Sequence, residues 1–280
     1  MKIITKPLQM QKIAAALSKK GKSIGFVPTM GALHDGHISL IKKSVSKNDI
    51  TVVSVFVNPI QFGPKEDFSK YPRPAAKDKN ICKKNKVDFL FMPQPDDLYG
   101  ANYSTYVEVE NYSKFMCGVS RPGHFKGVAT VVLKLFNIVI PDNAYFGLKD
   151  YQQYIIIKKM ANDLNIKTKI NGCSIIREKN GLALSSRNSY LNSEYKEKAG
   201  NIFKILSNAK KEFASNEDIN NIVKKIKKSL NAIESAQTDY VEIRDASTLD
   251  TAVQTTKSVV IAVAVRIQNV RLIDNIICKK

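Results

Sequence analysis

Glycine and proline are scarce in this 280-residue chain, at 13 and 10, and cysteine is scarcer still, at four. So few glycines and prolines exclude a collagen-like chain, and four cysteines exclude a disulfide-dense scaffold. Cys82, Cys117, Cys173 and Cys278 stand far apart and form no C-x-x-C pair. That argues against a zinc or redox motif and for reduced thiols in a cytoplasmic protein. No apolar run approaches the roughly 18 residues that cross a bilayer. The most apolar stretches, residues 52–57 and 259–265, have the length of strands. The first six residues lack the apolar core of a signal peptide.

Acid is also in short supply. Against 44 Lys and Arg stand 25 Asp and Glu, for a formal net charge of +19. Such a balance fits phosphate-binding proteins and raises an RNA-binding module as one reading. The lysines are nevertheless spread along the chain, in pairs such as Lys42 and Lys43, Lys83 and Lys84, Lys158 and Lys159. No aromatic-plus-basic RNA signature interleaves with them, so solvated helix faces account for the charge without a nucleic-acid partner. What is present in ordinary amount is apolar residue, at 44%, which is enough for a packed globular core.

Hydrophobic patterning divides the chain. Residues 23–28, 51–57, 87–92, 144–146 and 167–170 read as strands; 36–47, 78–85, 130–140 and 151–164 read as helices. In the 36–47 helix Ile38, Ile41 and Val45 fall at helical spacing, with Leu40 between the faces. The run at 51–57 is β-branched and unbroken, as for a central parallel strand covered on both sides. Alternation of strand and helix predicts a doubly wound, Rossmann-like parallel α/β sheet whose ligands sit at the carboxyl ends of the strands. Residues 177–191 are polar and irregular. Helices at 194–215 and 216–230 and strands at 239–244, 258–266 and 270–273 follow, which predicts a smaller α+β domain. The division is expected at residues 1–176 and 177–280.

Four segments carry polar chemistry at places where such a sheet binds ligands. Pro28-Thr29-Met30-Gly31-Ala32-Leu33-His34-Asp35-Gly36-His37 follows a strand and opens a helix. His34 and His37, two of only three histidines, stand three apart with a glycine between, so both rings can face one ligand. A glycine-bearing helix N-terminus also offers N–H groups to phosphate. Asn58-Pro59-Ile60-Gln61 places carboxamides after the next strand, where they can bind hydroxyls or a carboxylate without adding charge. Gly147-Leu148-Lys149-Asp150, followed by Tyr151-Gln152-Gln153, brings a lysine to a third strand end. Leu184-Ser185-Ser186-Arg187 joins two hydroxyls to a guanidinium whose planar fork matches phosphate.

The H-x-G-H pattern resembles the nucleotide-binding signature of class I aminoacyl-tRNA synthetases and related nucleotidylyltransferases. The longer set is more specific. PTMGALHDGH, FVNPIQFGPKEDFSKYPR, RPGHFKGVATVV, DYQQ and REKNGLALSSRNSYL, in that order, resemble the pantoate–β-alanine ligase (pantothenate synthetase) family over nearly the whole chain. Another adenylate-forming enzyme of the same superfamily is the nearest rival, but NPIQF and RPGHF do not belong to the synthetase class, and no anticodon-binding region is added.

The resemblance implies an ATP-dependent ligation of pantoate and β-alanine through pantoyl adenylate, releasing AMP and pyrophosphate. It implies that residues from Pro28 to His37 bind ATP, with His37 the proton donor and His34 on the same phosphates. It puts Gly147, Leu148, Lys149, Asp150, Ile176 (through its backbone), Leu184, Ser185, Ser186 and Arg187 in the ATP site, and Gln61 and Gln153 on pantoate, with Asn58 in support. Arg121 is expected on substrate or phosphate, and Asp78 near Mg²⁺. Lys149 and Arg187 suit the stabilisation of developing charge on phosphorus. The resemblance further implies a homodimer with small-molecule substrates, no nucleic acid and no membrane, and closure of the second domain to keep water from the adenylate. One departure stands out: the family usually carries Gly-Glu-Lys-Asp where this chain has Gly147-Leu148-Lys149-Asp150.

Overall fold

A computed structural model describes residues 1–64 and 66–280. The chain divides into two compact units, the first of residues 1–111, 121–148 and 156–174, the second of residues 112–120, 149–155 and 175–280. Besides the long C-terminal stretch, the second unit therefore gathers two short segments from earlier in the sequence.

The first unit is built on a six-stranded parallel sheet. Its strands are β1 (Lys2–Ile4), β2 (Ile24–Thr29), β3 (Ile50–Val55), β4 (Phe89–Phe91), β5 (Asn143–Gly147) and β6 (Lys169–Cys173). The order across the sheet is β1-β4-β3-β2-β5-β6. From β2 the chain first moves outward through β3 to β4 and later returns to β5 on the other flank of β2. The order thus reverses at β2, and a doubly wound sheet opens a ligand crevice at such a point, beyond the carboxyl ends of its strands. The predicted parallel α/β class is the observed one. Residues 52 and 53 of β3 and 24, 26 and 27 of β2 are wholly buried, because helices cover both faces of a parallel sheet.

The helices of this unit are α1 (Pro7–Lys19), α2 (Asp35–Lys47), α3 (Ala75–Lys84), the single turn α4 (Pro95–Leu98) and α6 (His124–Val139), with most of α7 (Tyr151–Asp163). Both β1 and α1 lie in a stretch for which patterning had suggested no element. In α2 the buried face is Leu40, Ile41 and Ser44, while Ile38 and Val45 are only partly covered. Leu40 is thus a core residue and not an in-between one. Ser44 shares that face because its hydroxyl is satisfied by Thr51 Oγ1 at 2.8 Å, which removes the cost of burying it. Helix α6 begins six residues earlier than its apolar run suggested, at His124.

The second unit carries a three-stranded antiparallel sheet of β7 (Ala236–Asp245), β8 (Ser258–Ile267) and β9 (Val270–Lys279), in that order. The long helices α8 (Ser193–Ala214) and α9 (Ile219–Asn231) pack on it. One core joins Ile202, Leu206 and Phe213 of α8, Ile222, Ile226 and Leu230 of α9, and Ile261, Val263 and Val265 of β8. The i, i+4, i+8 spacing in α9 is the helical stripe that such a sheet face requires. The single turn α5 (Cys117–Ser120) belongs to this unit too. Strand β9 runs well past the predicted 270–273, because Asp274 and Asn275 interrupt its apolar pattern while remaining buried and paired. Among the described residues no helix is long and apolar enough to cross a membrane.

Candidate functional site

The first polar cluster forms where β2 ends. Thr29 ties the chain down: its hydroxyl donates to the Ser54 carbonyl at 2.7 Å and accepts the Gly31 amide at 3.1 Å. Gly31 has φ +82°, and a Cβ there would sit 2.9 Å from Val55 Cγ1 and 3.0 Å from Asp78 Oδ2. Only glycine meets both conditions without strain. Asp78, in the first turn of α3 and wholly buried, then takes two successive amides, Ala32 N at 2.9 Å and Leu33 N at 2.8 Å.

Helix α2 starts on the histidine pair. His34 is the N-cap, and its Nδ1 accepts the Gly36 amide at 3.1 Å. His37 Nδ1 accepts the His34 amide at 3.3 Å. The rings lie 4.1 Å apart, tilted by 46°. A neutral imidazole that accepts at Nδ1 carries its proton on Nε2, so both rings carry an Nε2–H donor. The sequence suggested a fan of free amides for phosphate. Instead the amides of Gly31, Ala32, Leu33, His34 and Gly36 all donate within the loop or to Asp78. The same hydrogen bonds hold the two imidazole rings, whose Nε2–H groups are side-chain donors of this turn.

The second cluster follows β3. Asn58 caps a 3-10 turn, Pro59–Gln61, and is wholly buried. Its Nδ2 donates to Gln61 Oε1 at 3.0 Å and to the Gly127 carbonyl at 3.1 Å, and its Oδ1 accepts the Tyr99 hydroxyl at 2.8 Å. Gln61 Nε2 in turn lies 3.1 Å from Met30 Sδ. The Met30 loop and the Gln61 turn thus meet at the ends of neighbouring strands. Burial pushes the Tyr99 phenol well above its ordinary value, with neighbouring Tyr103 and Tyr106 adding to it, so its proton stays available for Asn58. Arg121 is bound in a fork by Glu66, Nε to Oε1 at 2.8 Å and Nη2 to Oε2 at 2.6 Å. Gly147 and the half-buried Leu148 complete this unit's set at the end of β5.

The remaining candidates stand in the second unit. Lys149 is half-buried and Asp150 exposed, both in the short turn Leu148–Asp150; the Lys149 carbonyl accepts from Asn275 Nδ2 at 2.9 Å. Of the paired glutamines, Gln153 is half-buried, whereas Gln152 is an internal brace. Gln152 accepts the Cys117 amide and donates to the carbonyls of Tyr112 and Phe115. The Ile176 carbonyl accepts the Leu184 amide at 3.0 Å. Between them Arg177 pairs with Asp274 at 2.6 and 2.9 Å and lies over the Phe203 ring. Ser185 caps the next turn, Ser186–Tyr190, through the Arg187 amide, and the buried Asn188 fastens that turn to the Ala183 carbonyl. This segment has fixed backbone geometry despite its polar, irregular sequence.

Sequence reasoning gave no role to His124, Tyr99 or Gln152, and did not foresee that Asp78 accepts the Ala32 and Leu33 amides. His124 was in view within the RPGHF motif, three residues after Arg121; nothing local marks Tyr99. The most deeply set thiols are not nucleophile candidates. Burial, then the Asp78 charge, pushes Cys82 up to about 12, and burial takes Cys278 to about 11. Among the described residues no group of three or more His, Cys, Asp or Glu is placed to hold a metal ion.

Comparison with known proteins bears on this arrangement. The family described as pantoate-beta-alanine ligase matches residues 2–277. The pantothenate synthetase of Endomicrobium trichonymphae is 56% identical over 280 residues, covering 100% of this chain and 99% of that protein. That of Sulfurihydrogenibium sp. (strain YO3AOP1) is 53% identical over 278 residues, with 99% of each covered. The crystal structure of pantothenate synthetase from Thermus thermophilus superposes with a TM-score of 0.93 at 38% identity, covering 99% of both chains. The pantoate-beta-alanine ligase of Francisella tularensis, complexed with beta-gamma ATP and beta-alanine, superposes with a TM-score of 0.82 at 39% identity, covering 99% of this chain and 97% of that one.

Proposed function

The chain belongs to the pantoate–β-alanine ligase family, and from that premise we propose how its residues carry the reaction. In the first half-reaction the pantoate carboxylate attacks the α-phosphorus of ATP, forming pantoyl adenylate and expelling pyrophosphate. In the second, the β-alanine amine attacks the acyl carbon and AMP leaves with the bonding pair. The observation that carries this reading is the histidine pair at the end of β2: both Nδ1 atoms accept backbone amides, which puts both ring protons on Nε2 as donors suited to phosphate.

A carboxylate approaching a triphosphate meets strong repulsion, so donors and cations must gather at the phosphorus before the transition state forms. His34 and His37 hydrogen-bond the phosphates through Nε2–H, and the His37 bond strengthens as charge develops on the departing pyrophosphate. Lys149 and Arg187 stabilise the extra charge on the transferring group, with Ser185 and Ser186 as neutral donors beside it. Gly147, Leu148, Asp150, Leu184 and the Ile176 backbone complete the nucleotide site. Gln61, backed by Asn58, and Gln153 hold pantoate, and Arg121 contributes to substrate contact. Closure of the C-terminal domain shields the adenylate from water.

The described residues offer no protein cage for a divalent cation, and both Asp78 oxygens already accept amides. Mg²⁺ brought by the nucleotide would supply shielding of the triphosphate charge. Asp78 serves it from behind, as the clamp of the loop. A homodimer in the cytoplasm is part of the same proposal, with sedimentation velocity as its check. The setting agrees with four buried thiols, none of them in a disulfide.

The test is pyrophosphate release from ATP and pantoate, with and without β-alanine, for the wild type and His37→Ala. Sustained release that needs both acids, and falls about 100- to 1000-fold in the variant, supports the reading. An enzyme that releases no pyrophosphate with pantoate under any condition refutes it.

A further inference from the structure

We propose that His124 is a positioning residue of the pantoate site: a ring held in a single neutral tautomer that sets where Gln61 stands. The inference rests on the reading of Gln61 as a pantoate ligand and adds a residue to which no role in the reaction has been given above.

The partners of the ring fix its tautomer. His124 Nδ1 lies 2.9 Å from the Gln61 carbonyl oxygen, and Nε2 lies 2.9 Å from Arg121 Nη1. A carbonyl only accepts, so the proton is on Nδ1. A guanidinium only donates, so Nε2 presents its lone pair. The ring is neutral, and its two bonds run in one direction, from Arg121 through His124 to Gln61. Arg121 is fixed in turn by the Glu66 fork, which balances its charge and aims Nη1 at the ring. His124 is 7% exposed. In so dry a setting each of these bonds gains strength, and each missing partner costs more.

The Gln61 side chain has an equally definite polarity. Asn58 Nδ2 faces the Gly127 carbonyl, which fixes the Asn58 amide, because the opposite flip would set two acceptors against each other. Asn58 Nδ2 then faces Gln61 Oε1, so the Gln61 amide turns its NH2 end toward Met30. Gln61 is therefore gripped at its carbonyl by His124 and at its amide oxygen by Asn58. It presents an N–H donor, which suits an acceptor such as a carboxylate or hydroxyl oxygen. A three-residue 3-10 turn could not hold this geometry alone. The rest of the fold supports the same placement: α6 begins at His124, and a Cβ on Gly127, one turn later, would collide with the Ile60 carbonyl oxygen and lie 2.7 Å from Gln61 Cα. The first turn of α6 is thus seated directly on the turn that carries Gln61.

Three variants separate positioning from bulk stability. His124→Ala removes both arms. His124→Asn keeps a donor near the Nδ1 position, and His124→Gln keeps an acceptor near the Nε2 position. Displacement of a binding group raises KM with little change in kcat. We expect His124→Ala to raise the pantoate KM by about ten- to a hundredfold, with the ATP KM moved by less than about threefold. His124→Asn should return to within about threefold of the wild type, and His124→Gln should resemble the alanine variant. Equal losses for pantoate and ATP, or an asparagine variant no better than alanine, would overturn the proposal.

A second readout needs no turnover and no variant. Nitrogen-15 spectra of the histidine rings in the free wild-type protein, at neutral pH, report which nitrogen carries the proton. A neutral His124 protonated on Nδ1 is expected; an Nε2–H ring or an imidazolium refutes the tautomer. The two failures are distinguishable. If the wild type does not use pantoate, the functional reading falls; if it does and the variants or the spectra disagree, only the role of His124 falls.

Discussion

At the scale of single residues, the site is made by acceptors that occupy backbone amides. Asp78 shows this most plainly: one buried carboxylate holds Ala32 and Leu33 and so shapes the turn that ends in the histidine pair. Asp78→Ala removes the carboxylate that accepts both amides. It should lower stability by about 1–3 kcal/mol and weaken ATP binding together with it, as read by urea unfolding and by nucleotide titration. Retained ATP affinity in a destabilised variant would separate Asp78 from the site. Asp49 makes a similar contact at the start of β2, where it accepts the Ser23 amide and hydroxyl at 2.9 and 2.8 Å. The backbone bond from Ser23, then its hydroxyl and Lys22, lower the Asp49 carboxyl from 3.8 to about 2. A lowered value in the folded state contributes stability above the unfolded value, and that contribution fades as pH falls through the folded one. Wild type and Asp49→Asn should therefore differ in urea midpoint at pH 6 and converge as pH falls from about 4 toward 2. A gap independent of pH would assign the effect to packing.

At the scale of elements, the strand ends decide what each motif can do. Apolar runs announced β2, β3, β5 and β8 because a strand covered on both faces has to be apolar throughout. Other elements escaped for physical reasons. Strand β1 has only three residues, and helix α1 buries only Met10 and Ala14 fully, a small face to mark it in the sequence. Strand β9 hides behind Asp274 and Asn275, whose burial is possible only because Arg177 and the Lys149 carbonyl satisfy them. Helix α6 starts early because the close seat of Gly127 on residues 60 and 61 is a tertiary fact, invisible in a window of local sequence. Gly127→Ala tests that seat. The added methyl should cost about 1–3 kcal/mol through overpacking and raise the pantoate KM more than the ATP KM. If thermal stability and both constants are unchanged, the contact between α6 and the Gln61 turn is not tight.

At the scale of the whole molecule, two compact units are woven from one chain that passes between them more than once. Gln152 illustrates why the second unit takes in residues 112–120. Its amide bridges the Cys117 N–H and the carbonyls of Tyr112 and Phe115, while the Met116 amide is held by Glu242 at 2.8 Å and the Tyr151 hydroxyl by the Ala246 carbonyl at 2.6 Å. Gln152→Ala removes the partner of the Cys117 amide and of the Tyr112 carbonyl, while the Phe115 carbonyl keeps the Gly118 amide. It should cost about 1–3 kcal/mol and speed proteolysis within residues 112–120, leaving cleavage in the parallel-sheet unit as it was. Uniform acceleration across both units would mean that they unfold together.

By itself the sequence determined the class of fold, the family and the identity of the main polar groups. These reside in local patterns: alternation of strand and helix, His34 and His37 at one strand-to-helix turn, hydroxyls beside Arg187. Only the tertiary structure decided which donors and acceptors are already taken. It showed that loop amides expected to meet phosphate are engaged by the loop itself and by Asp78, that of two adjacent glutamines Gln152 is the internal brace, and that His124 stands between Arg121 and Gln61. The physical reason is that hydrogen-bond satisfaction in a buried site depends on partners far apart in sequence. Asp78 lies 45 residues from Leu33, and His124 lies 63 from Gln61, distances that only the folded chain closes.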